Sequence, residues 1–115
     1  MKLYCNGDLI GSLTNYFYET PWASARIEPV DPEAYERLCR ASHFLSIVLN
    51  ENWGDLTEEE ENQVYAQRLA DLQITDADLT HFQGKWEIRE SDHRDRQGEI
   101  RLNTCDSDRW VTWRW

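Results

Sequence analysis

Lys2-Leu3-Tyr4-Cys5-Asn6-Gly7-Asp8-Leu9-Ile10-Gly11-Ser12-Leu13 is the stretch on which the fold turns. Asn6-Gly7 stands between two β-prone runs. Both residues tolerate the positive φ angles of a tight I′ turn, so the spacing predicts a hairpin of Lys2–Cys5 against a strand opening at Asp8. That second strand reads on through Thr14-Asn15-Tyr16-Phe17-Tyr18, long and aromatic. Gly11 inside it marks a bulge or a place where another backbone comes close. Thr20-Pro21-Trp22 should break it, because Pro cannot donate to a ladder. Residues 25–30 then suit a shorter third strand.

Beyond the hairpin, Asp31-Pro32 opens a helix, with Asp31 as N-cap and Pro32 as the first helical residue, where its missing N–H is harmless. Tyr35, Leu38, Ser42, Leu45 and Leu49 recur at spacings of three and four, and Ala41 and Val48 widen the stripe, which predicts an amphipathic helix to about Asn50. Thr57 followed by Glu60 is a capping box, and the carboxylates after Thr57 suit the positive end of a helix dipole. This second helix, 57–72, should bury Val64, Tyr65, Leu69 and Leu72. Thr75-Asp76-Ala77-Asp78 reads as a turn or a short third helical turn. The remainder reads as a meander: Trp86 and Ile88, then Ile100 and Leu102, then a last strand from Arg109 to Trp115. In that strand Val111, Trp113 and Trp115 share one face, and Trp110, Thr112 and Arg114 share the other. The expectation is one α+β domain over residues 1–115, with a single, mostly antiparallel sheet covered on one face by two helices.

The order Gly7-Asp8-Leu9-Ile10-Gly11, Thr20-Pro21-Trp22, Arg26-Ile27-Glu28-Pro29, a helix and a terminal Trp113-Arg114 resembles a family of small bacterial proteins of uncharacterised function. Their chains begin with a G-x-L-I-G hairpin, pass through a P-W turn and an R-F-E-P strand, and end in a W-R strand. The resemblance covers roughly the first forty residues and the last five, and residues 75–105 depart from it. It implies a bacterial, cytoplasmic, stand-alone domain and brings no catalytic residue with it.

Composition narrows the function classes. The chain has 115 residues, 40% of them apolar, with six Trp, five Tyr and three Phe, which is a packed core rather than a disordered chain. Three cysteines, Cys5, Cys39 and Cys105, are odd in number and far apart, as expected of free thiols in a reducing cytoplasm rather than of disulfides or a zinc site. Neither a signal peptide nor a run of about 18 apolar residues is present, so no membrane association is expected. The net charge of −10 is concentrated: residues 51–83 hold nine acids (Glu51, Asp55, Glu58, Glu59, Glu60, Glu61, Asp71, Asp76 and Asp78) against Arg68 alone. A field of that sign repels phosphate backbones and attracts basic partners, so nucleic-acid binding is not expected.

Residues with chemistry to offer have ordinary readings beside the functional ones. Glu58 to Glu61 are either a solvated helix start or a docking surface for a basic protein, with Asp55 and Trp53 in the preceding turn as further contacts. Asp76, Asp78 and His81 could hold a divalent cation, but Asp-rich turns commonly cap helices, and no metal is expected. Cys39 and His43 lie one helical turn apart and could form an activated thiol, although a buried Cys is the commoner outcome. His93, between charged neighbours, reads as solvated. No phosphate loop or hydrolase motif appears, so no catalytic residue and no cofactor is expected. Two function classes follow. One is a non-catalytic acidic binding domain of immunity-protein type, acting through helix 57–72 on a basic partner. The other is a small-molecule-binding domain or minor enzyme, with a pocket between sheet and helices lined by Tyr16, Tyr18, Trp22 and Trp86.

Overall fold

The chain runs β1 (Lys2–Cys5), β2 (Asp8–Glu19), β3 (Trp22–Pro29), α1 (Pro32–Asn50), α2 (Glu58–Leu72), α3 (Asp76–Phe82), β4 (Trp86–Arg89), β5 (Gly98–Cys105) and β6 (Trp110–Arg114). The computed structural model describes residues 1–51, 54–91 and 97–115. The α+β class and the antiparallel pairing are as expected. The sheet, however, is not an open one with a single covered face. It closes into a barrel in the order β1-β2-β3-β6-β5-β4, with β4 returning to pair with β1 from Lys2↔Arg89 to Cys5↔Trp86.

Closure is fastened at the β1–β2 turn. Asn6 takes the left-handed conformation the turn requires, with φ 52°. Its backbone N–H donates to the Lys85 carbonyl at 2.8 Å, and its Oδ1 accepts the Lys85 N–H at 2.9 Å. A Cβ on Gly84 would lie 2.5 Å from the Asn6 side chain, so the glycine leaves room for this clamp. Closure pairs β1 on both sides, which removes the aggregation hazard that its free edge would otherwise present.

The barrel interior is filled by complementary sizes. Ala23 and Ala25 of β3 pair with Trp113 and Val111 of β6, and all four are fully buried. Two small side chains thus stand where the indole needs space. Gly11 pairs with Pro29, and a Cβ there would meet the Glu28 carbonyl oxygen at 2.6 Å, so this glycine marks the close backbone approach of β2 and β3. The third strand starts at Trp22, three residues earlier than expected. Pro21 falls in the turn before it, where no ladder donor is required.

Helix α1 is capped by Asp31, whose side chain accepts from the Glu33 and Ala34 N–H groups. It buries Tyr35, Leu38, Cys39, Ala41, Ser42 and Phe44; the burial of Cys39 is as expected, and Phe44 is added to the expected stripe. Tyr35 Oη donates to the Asp106 carbonyl at 2.7 Å, and Ser42 Oγ accepts the Cys105 N–H at 3.3 Å, which holds α1 along β5 and the β5–β6 turn. Helix α3 is a full third helix started by a Thr75–Asp78 capping box, and it buries Leu79 and Phe82 against the same core. Helix α2 differs from expectation: Val64, Tyr65, Leu69 and Leu72 are only half-buried, and α2 has no fully buried residue. Its main helix contacts are with α1, where Tyr65 meets Phe44 edge to face at 5.3 Å, and the Tyr65 hydroxyl also reaches Asp76 of α3, so its stripe is only partly covered.

Candidate functional site: the acidic face of α2

The first turn of α2 is built by its own cap. Thr57 Oγ1 accepts the Glu60 N–H at 3.2 Å, and Glu60 Oε1 accepts the Thr57 N–H at 3.3 Å. Glu60 is therefore partly a structural residue, while the carboxylates of Glu58, Glu59 and Glu61 sit where the helix dipole favours negative charge. Asp55, Glu58, Glu59 and Glu60 are exposed and Glu61 is half-buried. The one base of residues 51–83, Arg68, lies 2.8 Å from Glu51. Further along, Asp71 accepts from Gln67 and Asp76 accepts from Tyr65 Oη at 2.9 Å. The acidic turn is thus left without a basic neighbour among the described residues. Trp53, the other expected contact, lies outside the described residues, as does His93.

The four aromatic residues expected to line one pocket are distributed over two places. Tyr16 is half-buried, 6.0 Å from the Trp113 ring, and its hydroxyl accepts from Trp115 Nε1 at 3.2 Å. Tyr18 and Trp22, each 40% exposed, lie with Phe17 toward the end of the β2–β3 hairpin. Trp86 is elsewhere. Its Nε1 donates to the Phe82 carbonyl at 2.7 Å, and it lines a cavity of about 730 Å³ with Ser42, Ser46, Ile100, Leu102 and Thr104. A second cavity of about 550 Å³ shares Ser42, Ser46 and Thr104 and extends to Cys39, His43 and Asp106. Together they form a groove between α1 and β5. Three of its lining residues had been singled out in the sequence: Trp86 as a pocket residue between sheet and helices, and Cys39 and His43 for their spacing of one helical turn.

The chemistry open to this groove is limited. Burial pushes the Cys39 thiol above its ordinary value, and Cys105 well above it, so neither is an activated thiolate. Asp78 is engaged in the α3 cap, and no group of residues among those described could hold a metal ion. All three cysteines are free and buried. No helix among the described residues is long and apolar enough to cross a membrane. No family model, curated protein or solved structure matches the chain.

Proposed function

We propose that this chain is a non-catalytic binding protein whose α2 face engages a basic protein. The observation that carries the reading is the arrangement around Arg68. The only base of the −8 segment is held by Glu51, so the Glu58–Glu61 turn carries its charge without a compensating base among the described residues. Charge of this kind steers a cationic partner and raises its association rate. An immunity-type inhibitor covering the cationic active site of a toxin in a bacterial cytoplasm is one concrete form. The test is capture of basic proteins from a lysate of the source cell, comparing the native chain with one whose acidic turn is reversed in charge.

A second reading rests on the α1–β5 groove. Its two cavities are within the range of small-molecule sites, roughly 300–1,000 Å³, and Trp86 stands at one end. On this reading a ligand screen raises the melting temperature of the native chain, and reversing the α2 charges leaves that rise unchanged.

A further inference from the structure

The barrel is not paired along the whole of β5. Strand β4 has four residues and β5 has eight, and their pairing ends at Trp86↔Ile100. Before Trp86 the chain belongs to α3 and its turn, so β4 extends no further. The rest of β5 runs beside β6 on one side only, from Arg101↔Arg114 to Cys105↔Val111. On its other side, no strand lies along residues 101–104 among the described residues. The Cys105 N–H shows how this edge is closed at its far end: it donates to Ser42 Oγ of α1 at 3.3 Å, to a side chain and not to a strand. Leu102 and Thr104 pair with the adjacent residues Trp113 and Thr112, which leaves Asn103 as the extra residue of a bulge. Bulges recur beside binding sites, where they re-aim the chain.

This open edge lines the cavity of about 730 Å³ between α1 and β5. Buried Phe82, Trp86 and Ile100 and half-buried Leu45 and Leu102 make its apolar part. Glu99 and Arg101 are the only charged residues among the described residues that line it, and they are opposite in sign.

We infer that this cavity takes a short, uncharged, extended peptide segment, which adds to the open edge of β5 as a strand in line with β4. A strand edge offers N–H and C=O groups in alternation, and the ligand that answers such a row is another extended main chain about 4.8 Å away. The charges of the lining balance, so they match a segment without charge, and a buried unpaired charge would be costly there. Side chains of an added strand alternate between the two faces of the sheet. Apolar ones meet Trp86, Ile100 and Leu102, and polar ones lie on the side of exposed Asn103 and Thr104. The edge is recessed behind α1, whose Ser42, Leu45 and Ser46 form the facing wall. A single strand fits that space, whereas the sheet of a second copy would have to displace the helix. The inference rests on the groove being a ligand site, the second reading given above, and it leaves the acidic turn of α2 free for its own partner.

The probe is the blocked tetrapeptide acetyl-Leu-Thr-Leu-Thr-amide, whose four residues span about 13 Å, the length of residues 101–104. It is titrated into the isotope-labelled native chain, and amide shifts are followed by NMR. Saturating shifts are expected at the amides of residues 101–104 and at the Trp86 indole N–H. The same peptide with its backbone amides N-methylated keeps its side chains but has no main-chain donor, and it should bind at least about tenfold more weakly. Ser46→Trp fills the cavity from an exposed position of α1, and it should weaken the unmodified peptide to a similar degree with unchanged circular dichroism. Equal binding of the two peptides, with the Trp86 shift, overturns strand addition and leaves the groove as a small-molecule site. Shifts that are absent or lie only outside the groove overturn the inference as well, and the ligand screen then decides the groove reading by itself. Shifts of the same amides that grow with protein concentration and need no peptide would overturn it too and assign the edge to a second copy.

Discussion

Arg68 and Glu51 meet at 2.8 Å across the junction of α1 and α2, which ties the single base of the acidic segment to one end of α1. The pair leaves Asp55 and the Glu58–Glu61 turn facing outward with nothing basic beside them among the described residues. The helix carrying them is held by caps at both ends and by half-buried contacts with α1, not by a buried stripe. Few of its side chains are committed to the core, so its surface is open to other contacts.

Replacing Arg68 with alanine should therefore have two small, opposite consequences. Both partners are partly exposed, so the lost pair is worth at most about 1 kcal/mol of stability. The negative field of the segment becomes stronger, so capture of a basic protein should increase at low salt and show a steeper salt dependence. Denaturant titration and capture at two salt concentrations check the two effects.

Gly11→Ala should destabilise the fold by about 1–3 kcal/mol, because its Cβ would meet the Glu28 carbonyl oxygen at 2.6 Å and the Ile27 side chain at 2.7 Å. Backbone on the opposing strand cannot yield as a flexible side chain would. Thermal unfolding reads the loss, and Ser12→Ala on the exposed side of the same strand should be close to neutral.

Alkaline pH should destabilise the chain before any catalytic group is involved. Burial raises the Cys5 thiol to about 11, and it raises Cys39, Cys105 and Tyr35 in the same direction. The folded state holds these protons more tightly than the unfolded state, so stability is fully present below the unfolded thiol value, about 9. It then declines as pH rises toward 11. Melting temperatures between pH 8 and pH 11 should fall, less steeply in Cys5→Ala, and thiol reagents should react slowly until the chain is unfolded.

Much of the fold was legible in local signals. Asn6-Gly7, Asp31-Pro32 and the Thr57–Glu60 box each identify a turn or a helix start through their own backbone chemistry, and each element stands where those residues indicate. Barrel closure was not legible, because it depends on β1 meeting β4 across more than 80 residues and on Asn6 bonding Lys85. No local periodicity encodes that partnership. Helix α3 was read as a turn or a short third helical turn, and its Thr75–Asp78 box starts a helix that runs on to Phe82. The α1–β5 groove was legible only in part, through Trp86 as a pocket residue between sheet and helices, since its walls come from segments some sixty residues apart, joined through Ser42 and the Cys105 N–H. For the same reason Trp86 was grouped with Tyr16, Tyr18 and Trp22, which lie elsewhere. The acidic turn was legible outright as four consecutive glutamates, and the structure adds that Arg68 is engaged elsewhere.

The most direct measurement is affinity capture from a lysate of the source cell at low and moderate salt. The native chain is compared with Glu58→Lys, Glu59→Lys, Glu61→Lys, which retains the Thr57–Glu60 cap and is checked for folding by circular dichroism. The account predicts one basic protein retained by the native chain, released as salt approaches about 1 M, and lost in the folded variant. Retention of the same proteins by both forms would contradict it and leave the acidic turn as solvated surface.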